Sequence, residues 1–201
     1  MSRQARVLGK INQLNCRGFW RESQMKKFEL TSEFITNIFG TKLFRIKALI
    51  EFGNVKAGEL GGFVEKEENL NHEGNAWVYG NAEVYGNARV YGNASVCDDA
   101  RVYGNASVYG NARVCGDARV CGDARVYGNA DYATVHGFGS EYRTTTFFKT
   151  KAGEIGVRCG CFYGNLSEFR KKVVETHGET KKAKEYLMLA DLMEFRFSDN
   201  S

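Results

Sequence analysis

The chain has 201 residues, of which 43% are hydrophobic and 26% charged, with a formal net charge of +4. That length suits one elongated domain with one good core, and no apolar run is long enough to span a bilayer. Residues 1–27 hold seven Lys or Arg against one Glu, so the remainder is slightly acidic and nucleic acid is not an expected partner.

In chain order, residues 1–24 show weak periodicity and no helix caps, whereas Met25-Lys26-Lys27-Phe28 reads like the start of a bacterial protein. The expectation is that 1–24 is an upstream extension from start-site choice, disordered or weakly ordered. Residues 25–73 read as a β-rich N-terminal cap with an irregular first coil. KFEL, FITNIF and KLFRIKAL alternate apolar and polar residues, with a turn at Gly40-Thr41. A cap is needed because an open solenoid end exposes unpaired strand edges.

From Gly74 to Ala133, ten six-residue units follow one another without insertion, as in GNAEVY GNARVY GNASVC DDARVY. A strict short period of this kind decides the architecture. Val recurs at 78, 84, 90, 96, 102, 108, 114, 120 and 126, with Ala two residues before each. On an extended backbone both point to one face, and the Gly-Asn or Gly-Asp pairs supply corners that tolerate positive φ. A period of six excludes a pentapeptide solenoid, and nothing here has the helical period.

Beyond the repeat, Thr144–Lys149 and Ile155–Cys159 read as a hairpin around Lys151-Ala152-Gly153. Asn165-Leu166-Ser167-Glu168 is a capping box, which predicts a helix with Phe169, Val173 and Val174 on its apolar face and Gly178 at its end. A second helix is expected from about Thr180 to Phe195, burying Ala183, Tyr186, Leu187, Ala190 and Met193. Residues 136–201 thus form a ββαα tail that either covers the last coil or stands as a small appended domain.

The unit resembles the hexapeptide repeat of left-handed parallel β-helices. In that family three hexapeptides close a triangular coil, so residues eighteen apart stack. The resemblance implies a mainly β fold: a left-handed parallel β-helix over 74–135, with cap and tail. Inner columns would start at Val78, Val84 and Val90. The residue on either side of each Val would point outward, giving columns such as Trp77–Ser95–Arg113, Glu83–Arg101–Arg119, Arg89–Ser107–Arg125, Tyr85–Tyr103–Cys121, Tyr91–Tyr109–Tyr127 and Tyr79–Cys97–Cys115. The block LFRIKALIEFGNVKAGELGGFVEKEENLNHEGNAWVYGNAEVYG, from Leu43, further resembles bacterial and prophage hexapeptide-repeat proteins of the YdcK-like group, often labelled transferases. That label follows the fold, which does not fix function.

Acyltransferases of the hexapeptide class use a His as general base between subunits. Here His72 and His136 flank the repeat, His177 lies in the tail, and no loop leaves the coils. His72 and His136 are therefore the catalytic candidates of an alternative acyltransferase reading. A zinc enzyme needs more His than one subunit offers at suitable spacing. Cys159-Gly160-Cys161 supplies only half a zinc site, so Cys159 and Cys161 are weak metal candidates, with buried structural thiols the default. Cys97, Cys115 and Cys121 take the place of Tyr in the repeat, a spacing unlike a disulfide framework, which points to a reducing compartment.

The outward Tyr and Arg residues are the stronger binding candidates, being residue types enriched at interface hot spots. They are Tyr85, Tyr91, Tyr103, Tyr109, Tyr127, Arg101, Arg113, Arg119 and Arg125, with Tyr163 in the tail. The bland reading is that Tyr shields the coil corners and stacks on its neighbours. The expectation is a non-enzymatic binding or structural protein with no cofactor, cytoplasmic in a bacterial host and forming a homo-oligomer, trimer or dimer. Its further expected partners are a host protein or a small nucleotide signal, in a phage or prophage protein that inhibits a host-defence component.

Overall fold

The computed structural model describes residues 26–139 and 141–198. The expected extension, residues 1–24, lies outside the described residues. Nine two-residue strands make the repeat: Trp77–Val78 (β4), Glu83–Val84 (β5), Arg89–Val90 (β6), Ser95–Val96 (β7), Arg101–Val102 (β8), Ser107–Val108 (β9), Arg113–Val114 (β10), Arg119–Val120 (β11) and Arg125–Val126 (β12). Parallel pairing stacks Val78, Val96 and Val114; Val84, Val102 and Val120; and Val90, Val108 and Val126. Partners are eighteen residues apart, so three hexapeptides make one turn of a β-solenoid. All nine Val and the Ala two residues before each are buried. Each buried Val contributes roughly 1.5–3 kcal/mol, a sum that becomes useful only when turns stack.

The corners turn on Gly at positive φ, for example Gly86 at 69° and Gly104 at 72°. The Asn beside these glycines has a second role that turn chemistry alone does not announce. Asn75 Nδ2 donates to Asn93 Oδ1 at 3.1 Å and Asn93 Nδ2 to Asn111 Oδ1 at 3.1 Å, a ladder climbing the corner.

The solenoid has a chemical polarity. Trp77 N–H donates to Ala94 C=O and Arg89 N–H to Ala106 C=O, so amides bond toward the C-terminal end and carbonyls toward the N-terminal end. The first turn is left with carbonyls and the last with amides, and buried groups of either kind need partners. The N-terminal cap supplies donors. It is an antiparallel set, Phe28–Thr36 (β1), Lys42–Ala48 (β2) and Leu60–Val64 (β3), whose last strand pairs with β5. Phe63 N–H donates to Ala82 C=O at 2.9 Å. Lys27 Nζ donates to Ala76 C=O at 2.8 Å, and Asn69 Nδ2 to Ala88 C=O at 2.8 Å. The C-terminal module supplies acceptors: Thr146 Oγ1 receives Arg119 N–H at 3.0 Å and Asn129 Oδ1 receives Arg113 N–H at 2.8 Å.

Trp77, expected to face solvent, is fully buried. It does point out of the prism, but the cap closes over it, with Phe52 at 5.3 Å and Phe28 at 6.2 Å between ring centroids. That closure needs Gly61, where a Cβ would lie 2.6 Å from Val78 C=O and 2.7 Å from the Trp77 ring.

The tail covers the last turn. It has a four-stranded antiparallel sheet, Tyr132–Val135 (β13), Thr145–Lys149 (β14), Ile155–Cys159 (β15) and Phe162–Asn165 (β16), followed by Leu166–His177 (α1) and Lys181–Phe197 (α2). The expected hairpin is therefore the centre of a larger sheet; its outer strands are short and contain Gly or polar residues, which weakens their signal. Alternation on β14 splits the two cores: Phe148 joins the solenoid interior, while Phe147 packs with Phe169 and Tyr186 of the helices. The capping box forms, with Glu168 N–H donating to Asn165 Oδ1 at 2.9 Å and Asn165 N–H to Glu168 Oε2 at 2.8 Å. Two helix positions depart from expectation. Val174 is exposed, and Leu187 is half-buried while Leu189 and Phe197 are buried. With two helices sharing one sheet, each core stripe is narrower than the apolar pattern.

Cys97 and Cys115 form a disulfide between successive turns, with Cα atoms 4.6 Å apart. The repeat spacing that argued against a disulfide framework is what brings them together, since residues eighteen apart sit one above the other.

Candidate binding groove

The predicted binding residues do not share one surface. Tyr85 and Tyr103 stack on one edge of the prism, with centroids 5.0 Å apart and rings 3° from parallel. On another edge Tyr91 and Tyr109 stack at 5.0 Å, and Tyr127 meets Tyr109 edge to face, also at 5.0 Å and 69° between ring planes. The third edge holds Tyr79 and the Cys97–Cys115 disulfide. Corner packing thus accounts for much of the Tyr surface: Tyr103 is half-buried, and burial raises its phenol pKa above the ordinary range. Tyr127 stands out at 62% exposed. Tyr163 reaches back to the solenoid, where its hydroxyl occupies the space a Cβ on Gly122 would need.

The arginines are likewise distributed over three faces. Arg101 pairs with Glu83 at 3.3 Å. Arg113 Nε donates to Cys115 Sγ at 3.2 Å, and its carbonyl accepts from Tyr132 Oη at 2.7 Å. Arg119 lies with Asp117, His136 and Arg143 around a hollow near the tail. Arg125 Nη1 donates to Asn105 C=O at 2.9 Å and Ala124 C=O at 2.8 Å, which fixes its guanidinium along its face.

One of these faces becomes a groove of about 710 Å³. Its floor is the column Arg89–Ser107–Arg125 on β6, β9 and β12, Tyr91 forms its edge, and the Glu67–His72 segment forms its end wall. Arg89 is exposed and has no ion-pair partner among the described residues. The acids of the wall are partly committed. Glu67 pairs with Lys26 at 2.7 Å, and this contact chiefly holds its carboxyl below the ordinary value. Glu68 is exposed. The groove thus offers two guanidinium groups, a hydroxyl and an aromatic edge, a set suited to an anionic ligand with a flat portion.

His72 is built into the cap. Its Nδ1 accepts Lys27 N–H at 3.1 Å, its ring stacks on Phe28 at 4.4 Å and its Nε2 lies 3.7 Å from Glu67 Oε2. Burial lowers its pKa, so the neutral acceptor form is favoured. His136 is exposed at the other end of the repeat, 3.0 Å from Thr144 Oγ1. The two histidines line different hollows and are not brought together within the chain. Cys159 and Cys161 flank the turn at Gly160 and line a smaller hollow of about 230 Å³ with Phe169, His177 and Tyr186. Thr145 Oγ1 donates to Cys159 Sγ at 3.1 Å, and burial with the Cys159 sulfur beside it pushes the Tyr186 phenol up to about 12.

The repeat matches the family model described as the YdcK beta solenoid repeat at residues 82–98, 94–110, 100–116, 106–122 and 118–130. Residues 82–130 are thus similar to YdcK-type β-solenoid repeats. The matched stretch contains Arg89, Ser107 and Arg125 of the groove floor and most of the Tyr columns. The end wall, Glu67–His72, precedes the matched residues. No curated protein matches the chain. No helix among the described residues is long and apolar enough to cross a membrane.

Arg89, Ser107 and the wall residues before His72 were not among the predicted site residues; His72 was, as a candidate of the acyltransferase alternative. Arg89 and Ser107 were legible as an outward column. What was not legible is that, of the segment before the repeat, it is Glu67–His72 that folds beside this column.

Proposed function

We propose that the protein is a non-enzymatic binding scaffold whose YdcK-type solenoid presents the Arg89–Ser107–Arg125 groove to an anionic ligand. The observation that carries this is Arg89, exposed and unpaired among the described residues, two turns from the fixed guanidinium of Arg125 in the same column. The setting we propose is a phage or prophage protein acting in a bacterial host on a defence component, either directly or by holding its nucleotide signal in the groove. The Tyr91–Tyr109–Tyr127 edge, which borders the same groove at Tyr91 and is exposed at Tyr127, is the proposed contact between copies of the chain. The acyltransferase alternative is weakened at His72, whose ring is committed to Lys27 N–H and Phe28; that chemistry would fall to His136.

The test is calorimetric titration with inorganic phosphate and with nucleoside mono-, di- and triphosphates. Binding that Arg89→Ala and Arg125→Ala each weaken by about tenfold or more supports the groove, as expected for charge-assisted hydrogen bonds of about 1.5–3 kcal/mol. Absence of binding, or binding unchanged in both variants, rejects it. Affinity purification from a bacterial host, followed by mass spectrometry of proteins and small molecules, identifies the natural partner.

A further inference from the structure

The repeat departs from its consensus at few positions, and three of the departures meet in space. Cys97 and Cys115 stand where most units have Tyr, and Asp98 stands where the other units have Gly. Asp98 adopts φ 61°, the left-handed conformation its glycine counterparts use. A non-glycine residue there carries a backbone cost, and a retained outlier of this kind directs attention to what its side chain does. One structural use is visible: Asp98 Oδ2 accepts Gly116 N–H at 3.0 Å. That leaves the second carboxylate oxygen, and a ligand atom from each of Cys97, Asp98 and Cys115 lies within 4.8 Å of the others. Two donors bound to one zinc at about 2.3 Å lie at most about 4.6 Å apart, so the cluster needs only small side-chain movement to converge.

We propose that Cys97, Asp98 and Cys115 form a redox-gated site for a thiophilic divalent cation of the zinc class. The disulfide is the closed state. A small dithiol opens it: two electrons and two protons pass to the sulfurs, and the reductant becomes its own cyclic disulfide. The two thiols then bind the cation as thiolates and release two protons, with the Asp98 carboxylate as third ligand and water completing a tetrahedron. A small-molecule disulfide closes it again: it takes two electrons from the thiolates and, with two protons from solvent, leaves as two thiols, while the sulfur–sulfur bond re-forms and the cation is expelled. Arg113 Nε, 3.2 Å from Cys115 Sγ, favours the thiolate at that sulfur once the bond is open. Cys97 is 6% exposed while Cys115 is half-buried, so an incoming thiolate reaches the pair at Cys115 first or not at all. The site opens onto a hollow of about 640 Å³ lined by Asn75, Tyr79, Asn93 and Ser95, which gives the ion a route in.

The experiment is cobalt(II) titration of the full chain, reduced with a dithiol that is then removed, followed by the thiolate-to-cobalt charge-transfer absorption and by competition with zinc. The expected result is one ion per chain, release of two protons, and no binding to the oxidised chain. The variant lacking both Cys97 and Cys115 (to Ser) should lose the absorption while Cys16, Cys121, Cys159 and Cys161 remain. Asp98→Gly, which restores the repeat residue and should fold at least as well, is expected to weaken binding by about tenfold or more. Unchanged affinity in Asp98→Gly, equal binding by the oxidised chain, or absorption that survives loss of both cysteines would each overturn the proposal. The site is remote from the arginine groove, so either can fail without the other.

Discussion

Lys27 is the sharpest place to probe how the cap holds the solenoid. Its side chain is 1% exposed, with Nζ donating to Ala76 C=O at 2.8 Å and to Gly74 C=O at 3.4 Å, above the Phe52 ring at 4.7 Å. Burial lowers its pKa from 10.5 to about 8. The folded protein therefore releases this proton before the unfolded chain does. Below pH 8 both states are charged and the full burial cost is present; between about pH 8 and 10.5 the unfolded chain binds more protons, so stability rises with pH. The displacement corresponds to an upper bound of roughly 3 kcal/mol across that window, at about 1.4 kcal/mol per pH unit. Lys27→Met keeps the aliphatic stem and abolishes the titration, at a cost of about 1–3 kcal/mol for carbonyls left without their donor. The raised Cys121 thiol acts in the opposite sense, its contribution falling as pH rises past its unfolded value, but it is common to both proteins and cancels in the comparison. Urea midpoints or melting temperatures of the two proteins, measured from pH 7 to 10, should diverge by the equivalent of roughly 2–3 kcal/mol in favour of the wild type. Curves that stay parallel over that range would mean that the ammonium is not buried against the first turn, and the account of cap docking would fall with it.

The remaining predictions concern the solenoid and its edges. Val102→Asp places an unpaired charge in the middle of an apolar column and should cost several kcal/mol, unfolding neighbouring turns together in circular dichroism. Arg101→Ala, whose partner Glu83 lies at 3.3 Å on the surface, should change stability by only about 0.5 kcal/mol. Changing Tyr91, Tyr109 and Tyr127 together to Ser should convert an oligomer to monomer in light scattering if that edge joins copies; an unchanged mass would leave these rings as corner packing. Reducing the Cys97–Cys115 disulfide, which closes a loop with a sequence separation of 18, should lower stability by about 3 kcal/mol in denaturant titration; equal midpoints with and without reductant would show that the bond does not constrain the unfolded chain.

The hexapeptide period carried most of the solenoid. Val and Ala two apart can share an inner face only on extended backbone, and Gly-Asn can supply the corners, so the inward face followed from spacing; the eighteen-residue stacking into columns was what the resemblance to hexapeptide-repeat β-helices implied. The capping box at Asn165–Glu168 was equally legible, because both of its hydrogen bonds lie within four residues. The groove was legible only in part: Arg125 was a predicted binding residue, but Arg89 and Ser107 acquired their meaning from the wall beside them.

What the sequence by itself determined was therefore whatever rests on local geometry: the coil, its core, the cap and tail as separate segments, and the ends of the first tail helix. Only the tertiary structure decided the rest. It put Trp77 under the N-terminal cap, matched the donors Lys27 and Asn69 to the carbonyl end of the solenoid, and set Thr146 and Asn129 against the amide end. It also divided Phe147 and Phe148 between two cores and joined the stacked Cys97 and Cys115 in a disulfide. The physical reason is that a repeat repeats its inner contacts but not its ends. Where the period stops, unpaired backbone groups and open apolar surface take whatever partner the flanking chain brings, and no spacing within the repeat encodes which partner that is.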